Sequence, residues 1–333
     1  MCKVYNIYSE DSTNLSRGGN YMRQKNIFNN KKRKTNNKNK IISVSLACVI
    51  VFAGVKVVSA TTSFFKEQQA IKQEEKRKEE EAKALAEKKR KEEEEKKKYM
   101  VGVKNDAKKY TYDATKVAKK LASYDYSNNG EKVVFLTFDD GTSTTVTPEV
   151  LRILEENDVH ATFFVTGQNI ERGGEKAKEL LKEELNRGHA IANHSWSHDY
   201  KYLYPGRTLN LDNFLADFKK TDDLLKETLG KYFSTRVIRC PGGHMSWKGM
   251  DALDSYLDEN KMASIDWNAL NKDAEGPRKN ADQLVQEAIK TSEGKEMVVL
   301  LMHDTYGKEE TAKALPEIIK YFKDNGYEFK TLS

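Results

Sequence analysis

From Lys132 to the C-terminus, short apolar runs alternate with amphipathic segments over about 200 residues. Val133–Phe138 has the pattern of a buried strand, and Val146–Asn157, with Pro148 near its start, has that of the helix after it. The alternation continues through apolar segments at 161–165, 190–193, 236–239, 262–267 and 297–302 and amphipathic segments at 175–187, 213–229, 281–291 and 311–325. This order predicts an α/β fold with a parallel sheet, open or closed into a barrel.

Titratable side chains directly follow several of these predicted strands. They are Asp139, Asp140, His194, His198, Arg239 and His303. Because chemistry gathers at the carboxyl ends of parallel strands, we expect these side chains to share one site. One carboxylate and two imidazoles can hold a divalent ion and leave positions open for water and substrate. The remaining carboxylate and histidine can take a proton from water and give one to a leaving group.

The first 60 residues differ in composition from the rest of the chain. Residues 1–40 hold ten Lys and Arg against two acidic residues, a basic surplus confined to a tail, which argues against a nucleic-acid-binding core. Residues 41–60 are apolar over the length that crosses a bilayer, with Lys56 as the one interruption. The preceding basic cluster predicts a cytoplasmic N-terminus and an exported remainder. We favour an uncleaved signal anchor over a signal peptide cut after Ala60.

Residues 61–130 are predicted to form a spacer and linker before a catalytic domain at 131–333. Lys66–Lys98 lacks Gly and Pro, and its Glu and Lys residues pair at i,i+4, which is typical of a solvated single helix. Its few apolar residues do not sustain a heptad, so a coiled coil is disfavoured. We therefore expect residues 1–130 to be dispensable for turnover of soluble oligomers. Only Cys240 lies in the exported part, so no disulfide can form within it.

Four motifs, in chain order, resemble those of the polysaccharide deacetylases of carbohydrate esterase family 4. They are Thr137-Phe138-Asp139-Asp140-Gly141, His194-Ser-x-x-His198, Arg239-x-Pro241-Gly242-Gly243 and Leu301-x-His303. The resemblance covers residues 131–333 and implies a distorted (β/α) barrel with about seven strands. It also implies the roles of the site residues: Asp139 as general base, Asp140, His194 and His198 as metal ligands, Arg239 as the group that positions the base, and His303 as general acid.

The sequence departs from the family in a further motif. Members commonly carry an Asp ahead of an Asp-Trp pair, and with Trp267 and Asp273 aligned that position is Leu270. Asp266 or Asp273 is expected to substitute as the group that tunes Arg239 or His303, and the sequence leaves this choice open. Four residues are also expected beside the substrate, with a backbone N–H near Gly242 donating to the oxyanion: Pro241, Gly242, Trp267 and Leu301.

The predicted protein is a single-pass membrane enzyme with its catalytic domain at the cell wall. It removes N-acetyl groups from N-acetylglucosamine (GlcNAc) residues of a cell-surface polysaccharide, and peptidoglycan is preferred because a tethered enzyme meets the wall first. The cofactor is one divalent ion, Zn2+ by ligand type, with Co2+ or Mn2+ suited to similar ligands. The predicted partners are the polysaccharide and the membrane, with no nucleic acid and no obligate protein partner. An O-deacetylase of xylan or another acetylated glycan, and a non-catalytic wall-binding scaffold, stay open as alternatives.

Overall fold

The computed structural model describes residues 39–96 and 98–333. The predicted basic tail lies outside the described residues except for its last two positions. Helix α1 (Asn39–Lys96) is continuous over 58 residues and contains both the apolar stretch and most of the charged spacer. Among the described residues, it is the one helix long and apolar enough to cross a bilayer, by length and composition alone. A signal sequence has the same properties, so the membrane anchor stays a prediction.

Residues 98–333 alternate short strands with helices. The strands are β1 (Met100–Val101), β2 (Thr111–Tyr112), β3 (Val133–Asp139), β4 (Thr162–Val165), β5 (Ala190–Asn193), β6 (Phe233–Ser234), β7 (Val237–Ile238), β8 (Ala263–Ser264), β9 (Ala269–Leu270), β10 (Met297–His303), β11 (Glu328–Phe329) and β12 (Thr331–Leu332). The helices that follow α1 are α2 (Ala114–Ala122), α3 (Thr147–Glu156), α4 (Gly167–Asn186), α5 (Tyr200–Leu203), α6 (Leu211–Leu229), α7 (Asp251–Glu259), α8 (Ala281–Ser292) and α9 (Glu309–Asp324).

Seven strands form one curled parallel sheet in the order β8, β7, β5, β4, β3, β10, β9, and β11 pairs with the start of β3. The two end strands, β8 and β9, follow each other in the chain, but over residues 98–333 no pairing joins them. The sheet is therefore a half-barrel with one open side. This confirms the predicted α/β fold and distorted barrel of about seven strands.

The alternating side chains of β3 separate two cores. Val134, Leu136 and Phe138 pack in a core that also contains residues of α3, α4 and α9. Val133 and Phe135 pack on the other face, inside the half-barrel. Because side chains alternate along a strand, this interior face also carries the last residue of β3, Asp139. The side chain of Asp139 therefore lies inside the half-barrel, at the carboxyl end of β3.

Residues 100–122, which were predicted as part of a linker, pack on this domain. β1 pairs with β6, and β2 pairs with β12. The side chain of Asp113 caps α2 by accepting the Thr115 N–H at 2.9 Å, and Ala114 and Val117 of α2 are each 2% exposed. The sequence did not reveal this helix because its one buried face is short and its other positions are Lys-rich. We propose that the catalytic unit begins near Met100 rather than at residue 131.

A truncated protein beginning at Glu131 is expected to be less stable than one beginning at Tyr99. Burial of each large apolar side chain contributes about 1.5–3 kcal/mol, and loss of α2 also uncovers the interior core that it covers. We therefore expect the free energy of unfolding to fall by about 3 kcal/mol or more. Urea unfolding of the two truncated proteins measures this difference. Equal stability of the two would contradict the proposed boundary.

Candidate active site

Asp140, His194 and His198 converge at the carboxyl ends of β3 and β5. Their ligand atoms all lie within 4.8 Å of one another. Asp140 Oδ1 is 3.7 Å from His194 Nε2 and 3.6 Å from His198 Nε2. Two ligands that each lie about 2.0–2.1 Å from a tetrahedral ion are separated by roughly 3.4 Å. The spacing of these three side chains is therefore close to that of a metal site.

The chemistry of the three groups also fits a divalent ion. Asp140 Oδ1 is buried and has no hydrogen-bond partner among the described residues, which is costly for a carboxylate oxygen without a cation. His194 Nδ1 lies 2.8 Å from the backbone oxygen of Arg239, so Nδ1 carries the hydrogen and Nε2 keeps its lone pair. Burial lowers the pKa of His194 to about 3, so this imidazole is neutral. One carboxylate and two imidazoles form a donor set typical of zinc.

The loop that carries the histidine pair is held by Asp217 of α6. Asp217 Oδ1 accepts the backbone N–H groups of Trp196 at 2.7 Å and Ser197 at 3.0 Å. His198 itself has a φ of 51°, in the left-handed region that costs energy for residues other than glycine. Such strain persists where the surrounding contacts determine the backbone. Sequence reasoning missed Asp217 because nothing in the pattern of α6 distinguishes a residue that binds a distant loop.

Asp139 forms a buried ion pair with Arg239. Arg239 Nη1 donates to Asp139 Oδ1 at 2.6 Å, and the two side chains are 0% and 4% exposed. Burial raises the pKa of Asp139, and the positive charge of Arg239 acts against this rise. The other carboxylate oxygen, Oδ2, lies 3.6 Å from His194 Nε2. Asp139 therefore has one oxygen fixed by Arg239 and the other next to the proposed metal ligands.

The structure brings Asp273, rather than Asp266, to His303. His303 Nδ1 lies 2.7 Å from Asp273 Oδ1, and the backbone N–H of His303 donates to Asp273 Oδ2 at 2.9 Å. Burial alone would lower the pKa of His303, but the hydrogen bond and charge of Asp273 raise it to about 9. The Asp266 carboxylate instead accepts the backbone N–H of His244 at 2.9 Å. Asp273 thus keeps His303 protonated at neutral pH, while Asp266 orders the loop after β7.

The register of the sheet places His303 next to Asp139. The two residues are partners in the parallel pairing of β10 with β3. Their side chains therefore leave the sheet on the same face, inside the half-barrel. Leu301 lies two residues before His303 and shares that face, where it is 7% exposed.

Trp267, the aromatic residue expected beside the substrate, packs near Arg239. The Arg239 guanidinium lies 5.7 Å from the centre of a Trp267 ring.

The loop Pro241–Gly243 and an aromatic wall border the histidine pair. The backbone oxygen of Pro241 accepts the Trp247 Nε1–H at 2.8 Å. Gly242 has a φ of 78°, and a Cβ there would lie 3.1 Å from Trp247 and 3.3 Å from the Tyr200 hydroxyl. The Tyr200 ring centre is 5.2 Å from that of His198, and its side chain is exposed. The sequence analysis did not identify Tyr200 as a residue of the site, although its position two residues after His198 indicated that its ring would lie near the histidine pair.

Cys240 lies next to this loop but cannot act as a nucleophile at neutral pH. Its side chain is fully buried, and its Sγ lies 3.4 Å from the Ser264 hydroxyl. Burial raises the pKa of the thiol to about 12, so the reactive thiolate form is absent at neutral pH.

Comparison with known proteins places this chain and its fold in one family. The family model for polysaccharide deacetylase matches residues 126–256. A peptidoglycan-N-acetylglucosamine deacetylase of Bacillus cereus is 31% identical over 209 residues, which cover 62% of this chain and 88% of that protein. The structure of a carbohydrate esterase family 4 esterase from Streptococcus mutans is 36% identical with a TM-score of 0.64, over 71% of this chain and 99% of that one. The catalytic domain of a peptidoglycan N-acetylglucosamine deacetylase from Eubacterium rectale is 30% identical with a TM-score of 0.54, over 62% and 91%.

A half-barrel with paired aspartates, a histidine pair and a late histidine at its strand ends defines an enzyme of the polysaccharide deacetylase class. The chain belongs to the polysaccharide deacetylases of carbohydrate esterase family 4. The family, the fold and the enzyme class predicted from the sequence are thereby confirmed.

Proposed function

We propose that this protein hydrolyses the N-acetyl group of GlcNAc residues in peptidoglycan. The observation that carries the proposal is the convergence of Asp140, His194 and His198 beside the Asp139–Arg239 pair. The relatives from Bacillus cereus and Eubacterium rectale that are named as peptidoglycan-N-acetylglucosamine deacetylases support the choice of polymer. The three converging side chains would hold one divalent ion, with Zn2+ preferred and Co2+ or Mn2+ suited to the same ligands.

In this proposal each residue of the site has a separate role in the hydrolysis of the N-acetyl group. A divalent ion bound at the site would polarise the acetyl carbonyl and make the attacking water more acidic. Asp139, oriented by Arg239, accepts a proton from that water as general base. The backbone N–H of Gly242 donates to the oxygen on which negative charge develops. His303 then gives its proton to the departing nitrogen, so that the products are acetate and a free amino sugar.

Asp273→Asn is expected to move the alkaline limit of activity to lower pH. With a pKa of about 9, His303 holds its proton through the neutral range and loses it as the pH rises past that value. Without the hydrogen bond and charge of Asp273, burial lowers the pKa of His303, so the acid form is lost at lower pH. Profiles of kcat against pH for the two proteins measure the shift. Exposed Asp212 provides the control variant, Asp212→Asn, and an unchanged profile for Asp273→Asn would contradict the role of His303.

Acetate release from three substrates tests the proposed function. The full chain is given purified peptidoglycan, chitooligomers and acetylxylan side by side, before and after treatment with a chelator. We expect release from the first two substrates, loss of activity on chelation, and recovery with Zn2+ or Co2+. Preference for acetylxylan would favour the O-deacetylase alternative. No release from any substrate would favour a non-catalytic scaffold.

We further propose that α1 anchors the enzyme in the membrane with its N-terminus in the cytoplasm. The apolar part of α1 and the basic residues before it support this orientation. Protease added to intact cells is expected to digest the catalytic domain while the N-terminal tail stays protected. Release of the whole domain into the medium would instead indicate a cleaved signal peptide.

A further inference from the structure

A half-open cavity of about 680 Å3 lies at the edge of the half-barrel. Its walls come from α2, the loop after β7, α7 and the edge strand β8. Much of the lining is apolar and consists of Ala118, Leu121, Leu257, Met262 and Trp267. Its volume is within the range of about 300–1,000 Å3 that is usual for ligand sites. The cavity therefore has room for a short peptide or a comparable group.

The cavity adjoins the candidate catalytic site through Trp267 and the loop after β7. Gly242, the proposed oxyanion donor, and Gly243 both belong to its lining. Trp267 contacts this loop, because a Cβ on Gly243 would lie 3.0 Å from its ring, and it also packs near the Arg239 guanidinium. A polymer with a reacting sugar at the catalytic carboxylate thus has this cavity directly beside it.

The charged groups of the cavity favour a cationic occupant. Asp254, Asp258 and Asp266 line it, and Lys119 is the one Lys or Arg among its described lining residues. Asp254 Oδ1 lies 2.7 Å from His244 Nε2, and Asp266 accepts backbone N–H groups. The Asp258 side chain is exposed at the rim, and its carboxylate has no hydrogen bond or ion pair among the described residues. It is the carboxylate most available to an incoming ammonium group.

We propose that this cavity binds the peptide arm carried by a sugar next to the one that is deacetylated. The inference deepens the proposed function, because peptidoglycan strands carry short peptides that combine alanine residues with a free amine. Small methyl groups suit the apolar walls, and the amine suits the acidic rim near Asp258. An unsubstituted sugar would leave its hydroxyl groups facing these apolar walls without hydrogen-bond partners.

Two pairs of variants of the full chain test this proposal. Ala122 lies at the exposed end of α2 and lines the cavity, whereas the neighbouring exposed Ser123 does not. Ala122→Trp therefore places an indole ring at the cavity and reduces its free volume, and Ser123→Trp is its control. In the same way Asp258→Lys reverses a charge of the rim, and Glu259→Lys, at an exposed position outside the lining, is its control. Each protein is assayed for acetate release from peptide-bearing glycan oligomers and from the same oligomers after an amidase has removed the peptides.

The expected result is a loss specific to the peptide-bearing substrate. Ala122→Trp and Asp258→Lys lower kcat/KM by about tenfold on peptide-bearing oligomers, a size typical of a lost pocket contact, and leave it unchanged on peptide-free oligomers. The two control variants behave like the unmodified protein on both substrates. Equal effects on both substrates, or no effect on either, would overturn the peptide assignment while leaving the proposed deacetylase activity intact. Absence of acetate release from both substrates in the unmodified protein would overturn both proposals.

Discussion

Asp139→Asn is expected to lower kcat for acetate release by about 10²–10⁴-fold, the range that a general base contributes. An amide cannot accept the proton that the carboxylate takes from water. The variant should still fold, because Arg239 keeps its hydrogen bonds to Thr137 Oγ1 and to the backbone oxygens of Ile265 and Asp266. Steady-state rates, together with the metal content of the purified protein, measure this outcome.

The matched control for this prediction is Asp140→Asn. Asp140 Oδ1 faces both imidazoles, whereas Asp139 has one oxygen held by Arg239. We therefore expect Asp140→Asn to lose bound metal and activity together, and Asp139→Asn to lose activity alone. Equal loss of metal in the two variants would contradict the division of roles between the carboxylates.

Arg239→Met is expected to lower the free energy of unfolding by about 3–5 kcal/mol, the usual cost of breaking a buried ion pair from one side. Among the described residues, Arg239 donates the one hydrogen bond that the Asp139 carboxylate receives. Without it, the carboxylate must stay buried without a donor or take up a proton. Urea unfolding followed by tryptophan fluorescence measures the change, because Trp267 lies near the Arg239 guanidinium.

The control for this second prediction lies three residues upstream. Arg236 is exposed, so Arg236→Met should change stability by less than about 0.5 kcal/mol. The same substitution at the two positions separates the buried ion pair from a general effect of losing a positive charge. A similar small change at both positions would show that the Asp139–Arg239 pair does not stabilise the fold.

The sequence predicted the parts of the fold whose pattern is long and strongly apolar. The observed β3, Val133–Asp139, extends the predicted run by one residue, and the observed β10, Met297–His303, does the same. Both are central strands buried on two faces, so their apolar runs are continuous. Asp139 and His303 end these two strands and Asp140 follows the first, which is why their shared location could be inferred before any coordinates.

The remaining features depend on tertiary contacts that leave no pattern in the chain. β9, Ala269–Leu270, has only two residues, too few to show any periodicity. The choice between Asp266 and Asp273 was open because both lie near the same strand. Which of the two aspartates contacts His303 is decided by the turn after β9, because this turn brings Asp273 to the side chain and backbone of His303. The support of the histidine loop by Asp217 is likewise a contact between distant segments.

Metal binding and acetate release by His198→Ala test the central claim most directly. The account predicts that the unmodified chain binds one Zn2+ ion in a calorimetric titration. It also predicts that the chain releases acetate from peptidoglycan only when this ion is bound. His198→Ala should lose both properties, whereas His160→Gln, a change at a half-buried histidine stacked on Tyr110, should keep them. Acetate release that survives complete chelation, or Zn2+ bound equally well by His198→Ala, would contradict the account.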